Sequence, residues 1–115
     1  MLFYLALFIF FCIYLQETPV CCCFSNNGTI LLIGLDTGSW KVIDFQSKKT
    51  LAEYHDTGND AIECLQFSPN GLMLAVGNRA GILHLYQVSN GKFNRIGRCM
   101  VINENYQSIN NKSLC

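Results

Sequence analysis

Glu63 to Tyr86 reads ECLQFSPNGLMLAVGNRAGILHLY: an apolar run, a Ser-Pro-Asn-Gly turn, a second apolar run, a small-residue turn and a third apolar run. The runs are short and rich in Leu, Ile, Val, Phe and Tyr, the composition of half-buried or buried strands rather than helices. Chain direction must reverse at Ser68-Pro69-Asn70-Gly71, because Pro69 presets φ and Gly71 accepts the positive φ such a turn demands. It reverses again at Ala80-Gly81. The stretch is a three-stranded antiparallel meander.

The same pattern occurs 43 residues earlier, where CCCFSNNGTILLIGLDTGSWKVIDF aligns with CLQFSPNGLMLAVGNRAGILHLYQV. Cys21/Cys64, Phe24/Phe67, Ser25/Ser68, Asn27/Asn70, Gly28/Gly71, Leu31/Leu74, Gly34/Gly77 and Gly38/Gly81 are identical pairs. A period of about 40 to 45 residues with turns in these places is the mark of a four-stranded propeller blade. The expected fold is all-β, with two four-stranded antiparallel blades. Closed propellers take about four to eight blades, so an incomplete ring with open faces is expected.

The first blade, residues 17–60, is read as strands over Val20–Phe24, Thr29–Gly34, Ser39–Phe45 and Thr50–Tyr54. Asn27-Gly28 signals a two-residue hairpin turn, and Gly38 a tight one. The polar loop His55-Asp56-Thr57-Gly58-Asn59-Asp60 joins the blades. The second blade, residues 61–99, is read over Ala61–Phe67, Leu72–Gly77, Ile82–Val88 and Phe93–Cys99, with Asn90-Gly91 as its last turn. From Met100 the hydrophobic period fades, and residues 100–115 are expected to form a mobile tail.

Residues 2–15, LFYLALFIFFCIYL, are apolar without interruption. They fall short of the roughly 17 to 25 residues that span a bilayer as a helix. They also lack the basic start and small-x-small cleavage site of a signal peptide. The segment is expected to be a buried helix or strand, with a signal or short anchor as the alternative. Under that alternative the sequons Asn27-Gly28-Thr29 and Asn111-Lys112-Ser113 would gain meaning.

Eight Lys and Arg balance eight Asp and Glu, which argues against a general nucleic-acid binder. Charged residues make up only 14%, against roughly 25% in soluble domains, as in a piece of a larger core. The seven cysteines form no C-x-x-C pair and have no histidine at zinc-ligand spacing, so reduced core thiols are expected and no metal site. No catalytic constellation accompanies His55, and His84 lies mid-strand. No glycine run makes a phosphate loop, and no cofactor is expected. Lys92, Arg95 and Arg98 fall on the last strand without an acid among them. They are candidates to face a partner, although edge cations ordinarily keep an exposed strand soluble.

Over residues 17–99 the sequence resembles a WD40-type propeller, and more narrowly the echinoderm microtubule-associated protein-like family. Glu17-Thr18-Pro19 leads into the Phe24 to Gly28 turn. Gly34 to Asp44 (GLDTGSWKVID) resembles that family's Thr-Gly-x-Trp strand, and His55 to Asp60 its His-x-Asp-Gly-Asn loop. Phe67 to Gly71, Leu74 to Gly77 and Gly91 to Cys99 (GKFNRIGRC) complete the series. The usual Trp-Asp dipeptide is Ile43-Asp44 in one blade and Tyr86-Gln87 in the other. The usual inner-turn Asp is Thr37 or Ala80, so both blades lack the WD40 hydrogen-bonded tetrad and are expected to rely on packing. The resemblance implies a non-enzymatic protein-interaction scaffold, a cytoplasmic location on the cytoskeleton and tubulin or microtubules as partner, or else the missing propeller blades. The competing reading is a small secreted or membrane-tethered protein with no cytoskeletal role.

Overall fold

The computed structural model describes residues 16–102 and 107–108. The residues 1–15 expected to be an apolar segment, and 103–106 and 109–115 of the expected tail, lie outside the described residues. All regular structure among the described residues is β. Strands β1 (Pro19–Phe24), β2 (Ile30–Leu35), β3 (Trp40–Asp44) and β4 (Thr50–Tyr54) form one antiparallel sheet in chain order. Strands β5 (Ile62–Phe67), β6 (Met73–Asn78), β7 (Ile82–Ser89) and β8 (Lys92–Ile102) form the second, extended at its edge by the two-residue β9 (Gln107–Ser108).

The repeat carries through to register. Cys21 pairs Gly34 as Cys64 pairs Gly77, and both β1–β2 and β5–β6 shift register one step earlier, at Pro19/Cys21 and Ile62/Cys64. Ile30 pairs Asp44 as Met73 pairs Gln87. The turns are also the same object. Asn27 Oδ1 accepts from Ser25 Oγ at 2.9 Å and Thr29 N at 3.1 Å; Asn70 Oδ1 accepts from Ser68 Oγ at 2.7 Å and Leu72 N at 3.0 Å. Gly28 and Gly71 close them at φ 77 and 75.

The expected two-residue hairpin at Asn27-Gly28 is not what forms. Ser25 N donates to Ile30 O at 2.8 Å and Gly28 N to Ser25 O at 2.9 Å, a longer connection in which Asn27 contributes its side chain, not a positive φ. Asn90-Gly91 is the true two-residue turn, with φ 52 and 75 and Ser89 paired to Lys92. The last strand also runs farther than Cys99. Met100 pairs with Ile82, and Val101 and Ile102 pair with Ser108 and Gln107, because the apolar, β-branched run Met100-Val101-Ile102 continues the strand before the polar stretch begins.

Alternation divides each sheet into two faces. Leu32, Trp40 and Val42 of the first sheet and Ile62, Leu65, Leu74, Val76, Tyr86 and Phe93 of the second form one buried cluster between the sheets. Gly34 permits the approach: a Cβ there would lie 2.6 Å from Ile62 Cγ2 and 2.8 Å from Cys21 Sγ. On the first sheet's opposite face Leu31, Ile33, Leu35 and Ile43 are also buried, with Cys22, Phe24 and Phe45 against them. The corresponding outer face of the second sheet, with Met73, Ala75, Leu83 and Leu85, is only half-buried.

Candidate interaction site

The seam between the sheets is closed at one end by the loop after β4. His55 Nδ1 lies 2.5 Å from Ser39 Oγ, and its Nε2 lies 2.9 Å from Asn59 Oδ1. An amide oxygen only accepts, so Nε2 carries the proton and Nδ1 accepts from the serine. Thr57, buried, donates to Gly38 O at 3.4 Å, and Asn78 Nδ2 of β6 donates to Thr57 O at 3.4 Å. Gly38, at φ 96, fits because a Cβ would meet Gly58 O at 2.2 Å. From β7, Tyr86 OH donates to Asp56 Oδ1 at 2.5 Å. Burial, and after it the bond to Asp56, push the Tyr86 phenol well above its ordinary range.

This loop therefore corrects the expectation of blades held by packing alone. Its polar atoms tie the β2–β3 turn of one sheet, at Gly38 and Ser39, to β6 and β7 of the other. Beneath it Trp40 stacks on Tyr54 at 4.4 Å and meets Tyr86 and Phe93 edge-on at 5.1 and 5.4 Å. Sequence reading singled out the loop and its histidine. It missed Asp56 with Tyr86, residues 30 positions apart with no shared motif.

At the other end the two repeated turns dock on each other. Asn26 Nδ2 donates to Pro69 O at 2.7 Å and to Ser68 O at 3.3 Å. Beside them opens an apolar cleft of about 380 Å³, lined by Ile30, Val42, Leu51, Phe67, Val88 and Phe93. Leu51 is 58% exposed at its rim. Asn27, Asn70, Gly71 and Gly91 also border this cleft, whereas Gly38 lies at the loop end and Gly81 ends the β6–β7 turn, its N donating to Asn78 O at 3.1 Å.

The cations of β8 do not form one patch. Lys92 stands exposed beside the Asn90-Gly91 turn, and Arg95 and Arg98 pair across with Tyr86 and His84. Arg95 Nη1 is 3.3 Å from His84 Nδ1. His84 is buried and its Nε2 has no hydrogen-bond partner. Burial, then Arg95 and Arg98, lower its pKa, with Asp56 partly opposing them.

Cys21, Cys22 and Cys23 are free and half-buried, in line with the expected reduced core thiols, whereas Cys64 is free but exposed; burial pushes Cys21 and Cys23 up to about 12. Cys99 departs from it and is disulfide-bonded. Among the described residues no group of His, Cys, Asp or Glu could hold a metal ion, and no helix is long and apolar enough to cross a membrane.

Residues 53–102 match the family of the anaphase-promoting complex subunit 4 WD40 domain. The human echinoderm microtubule-associated protein-like 3 is 37% identical over 88 residues, 75% of this chain and 10% of that protein. The chain is a WD40-type propeller segment resembling the echinoderm microtubule-associated protein-like family. It spans about a tenth of the length of the curated relatives it matches. The β-propeller domain of Myceliophteria thermophila Cps50 (Swd1) superposes with a TM-score of 0.67 at 16% identity, over 74% of this chain and 28% of that one. The Pseudomonas aeruginosa periplasmic gluconolactonase does so at 0.65 and 22%, over 73% and 27%. Both are likenesses of fold. The segment is thus two adjoining blades of a propeller scaffold.

Proposed function

We propose that this WD40-type segment acts without catalysis, through protein contact, with tubulin or the microtubule as partner and the cytoplasmic cytoskeleton as its place of work. The observation that carries the reading is the 37% identity to a relative named as microtubule-associated, over 75% of this chain. One fold neighbour is an enzyme by name, so the fold alone does not argue against catalysis. The argument comes from the side chains. Both ring nitrogens of His55 are engaged within its loop, and His84 is buried against a guanidinium with no nucleophile beside it. The apolar cleft at the paired turns and the exposed Lys92 and Arg95 on the β8 edge offer the contact surfaces.

The test is co-pelleting of the purified full chain with stabilised microtubules across a salt series. The expected result is weak binding that fades as salt rises and is reduced severalfold by Lys92→Glu with Arg95→Glu. Pelleting that is identical with and without microtubules overturns the reading.

A further inference from the structure

The open end of the seam carries an apolar hole with a built mouth. The cleft beside the paired turns holds about 380 Å³, at the small end of the roughly 300–1,000 Å³ of ligand pockets, which suits a single apolar anchor. Its walls are Ile30, Val42, Phe67, Val88 and Phe93. A bulge places Leu51 at the mouth. Val42 pairs with Ala52 and Ile43 with Thr50, so Leu51 is the extra residue and leaves the ladder, the device by which strands re-aim a side chain. Leu51 is 58% exposed, and Leu72, next to cleft-lining Gly71, is 57% exposed. The cleft opens between adjoining blades rather than on an outer face, so a further blade on either side of the pair would leave it open.

The polar rim is unbalanced. The backbone N–H groups of Thr29 and Leu72 donate to the side chains of Asn27 and Asn70, at 3.1 and 3.0 Å. Each facing atom is therefore the amide oxygen, and each remaining Nδ2 is a donor. Among the described residues neither Nδ2 has a partner. Asn26 spends its own Nδ2 on Ser68 O and Pro69 O and leaves a single amide oxygen as counterweight. Lys49 stands two residues before Leu51, and Lys92 between cleft-lining Gly91 and Phe93; both are exposed. No aspartate or glutamate lines the cleft. Donors and positive charge ring an apolar floor.

We propose that this cleft binds an acidic peptide segment of a protein partner. The segment inserts one leucine or phenylalanine side chain between the sheets, while its flanking carboxylates meet Lys49, Lys92 and the amides of Asn27 and Asn70. An anchor side chain in a pocket supplies most of the energy of such contacts, and charge complementarity selects the partner and speeds encounter. The inference rests on the proposed role in protein contact and names the chemistry recognised at one of its surfaces.

The probe is a dye-labelled Glu-Glu-Leu-Glu-Glu peptide, followed by fluorescence anisotropy with the purified full chain and competed by unlabelled relatives. The unlabelled parent peptide should compete best. Glutamines in place of the glutamates should weaken competition about threefold, and alanine in place of the leucine about tenfold; lysines in place of the glutamates should abolish it. Leu51→Ser should weaken the probe severalfold, and Lys49→Glu with Lys92→Glu should reverse the preference toward the lysine-flanked peptide. All three residues are exposed, and the lone, buried Trp40 reports by its emission that each variant remains folded. Should Leu51→Ser unfold the chain, the double charge variant decides by itself. Absence of saturable binding, equal competition by glutamate- and lysine-flanked peptides, or an affinity that survives both variants overturns the proposal. Microtubule pelleting separates it from the tubulin reading. Peptide binding without pelleting keeps the cleft and removes tubulin, and pelleting without peptide binding does the reverse.

Discussion

The two sheets share one sequence pattern and one register through their first three strands, yet they present opposite outer surfaces. In the first, the outer cluster of Leu31, Ile33, Leu35 and Ile43 is buried. In the second, Met73, Ala75, Leu83 and Leu85 stand at positions 43 after Ile30, Leu32, Trp40 and Val42, and they remain half-buried. Each blade has two faces, and among the described residues the two sheets pack on each other through one face each. The side chains reflect it. Trp40 becomes Leu83 and Leu32 becomes Ala75, which shrinks the apolar patch left to solvent, while Gln66 and Gln87 beside it are exposed.

The sharpest way to break this comparison is at its largest side chain. Trp40 is fully buried, stacks on Tyr54 of its own sheet and touches Tyr86 and Phe93 across the seam, so Trp40→Ala should cost about 3–5 kcal/mol by the loss of transfer free energy plus the cavity left behind. Leu83→Ala, at the equivalent position, should cost less than about 1.5 kcal/mol, since Leu83 is only partly buried and stands outside the aromatic cluster. Urea unfolding of the full chain measures both. Equal losses would mean that the second outer face is covered as tightly as the seam.

A smaller effect separates the paired glycines. At Gly34 a Cβ would press on Ile62, buried in the opposite sheet, as well as on Cys21; at Gly77 it would approach chiefly Cys64 Sγ at 2.7 Å, and Cys64 is exposed. Gly34→Ala should therefore cost about 1–3 kcal/mol through overpacking, and Gly77→Ala distinctly less. Chemical denaturation of the two variants side by side checks the order, and a larger loss at Gly77 would contradict the difference in exposure.

What was legible in the sequence was whatever repeats or alternates. Strand order followed from the paired turns at Ser25 to Gly28 and Ser68 to Gly71, and the faces from period-two alternation. The Asn27 turn was misjudged because the Asn-Gly dipeptide signals a backbone conformation, whereas here Ser25 and Thr29 engage the asparagine side chain. Contacts between unlike elements left no local signal. Nothing near Asp56 announces Tyr86, and nothing near His84 announces that Arg95 and Arg98 will arrive across a bulged hairpin.

That last cluster gives the smallest and most specific contrast. His84 stands where the first sheet has Lys41, 43 residues earlier. Lys41 is satisfied by Glu17; His84 faces Arg95 and Arg98, with Asp56 the opposing acid and Tyr86 as its inward neighbour along β7. Its folded pKa lies below the ordinary 6.5, so at mildly acidic pH the unfolded chain binds a proton that the folded chain refuses. Stability should be unaffected by this group above about pH 7, fall as pH drops through 6.5 toward the folded pKa, and level off below it. His84→Leu keeps the site apolar and removes the titration. The difference in unfolding free energy between parent and variant should then be flat above neutrality and decline on acidification, before the carboxylates titrate near pH 4. A difference that stays flat from pH 7.5 to 5, or grows on acidification, would show that the buried ring is charged or solvated, and that Arg95 turns outward to solvent as Lys92 does.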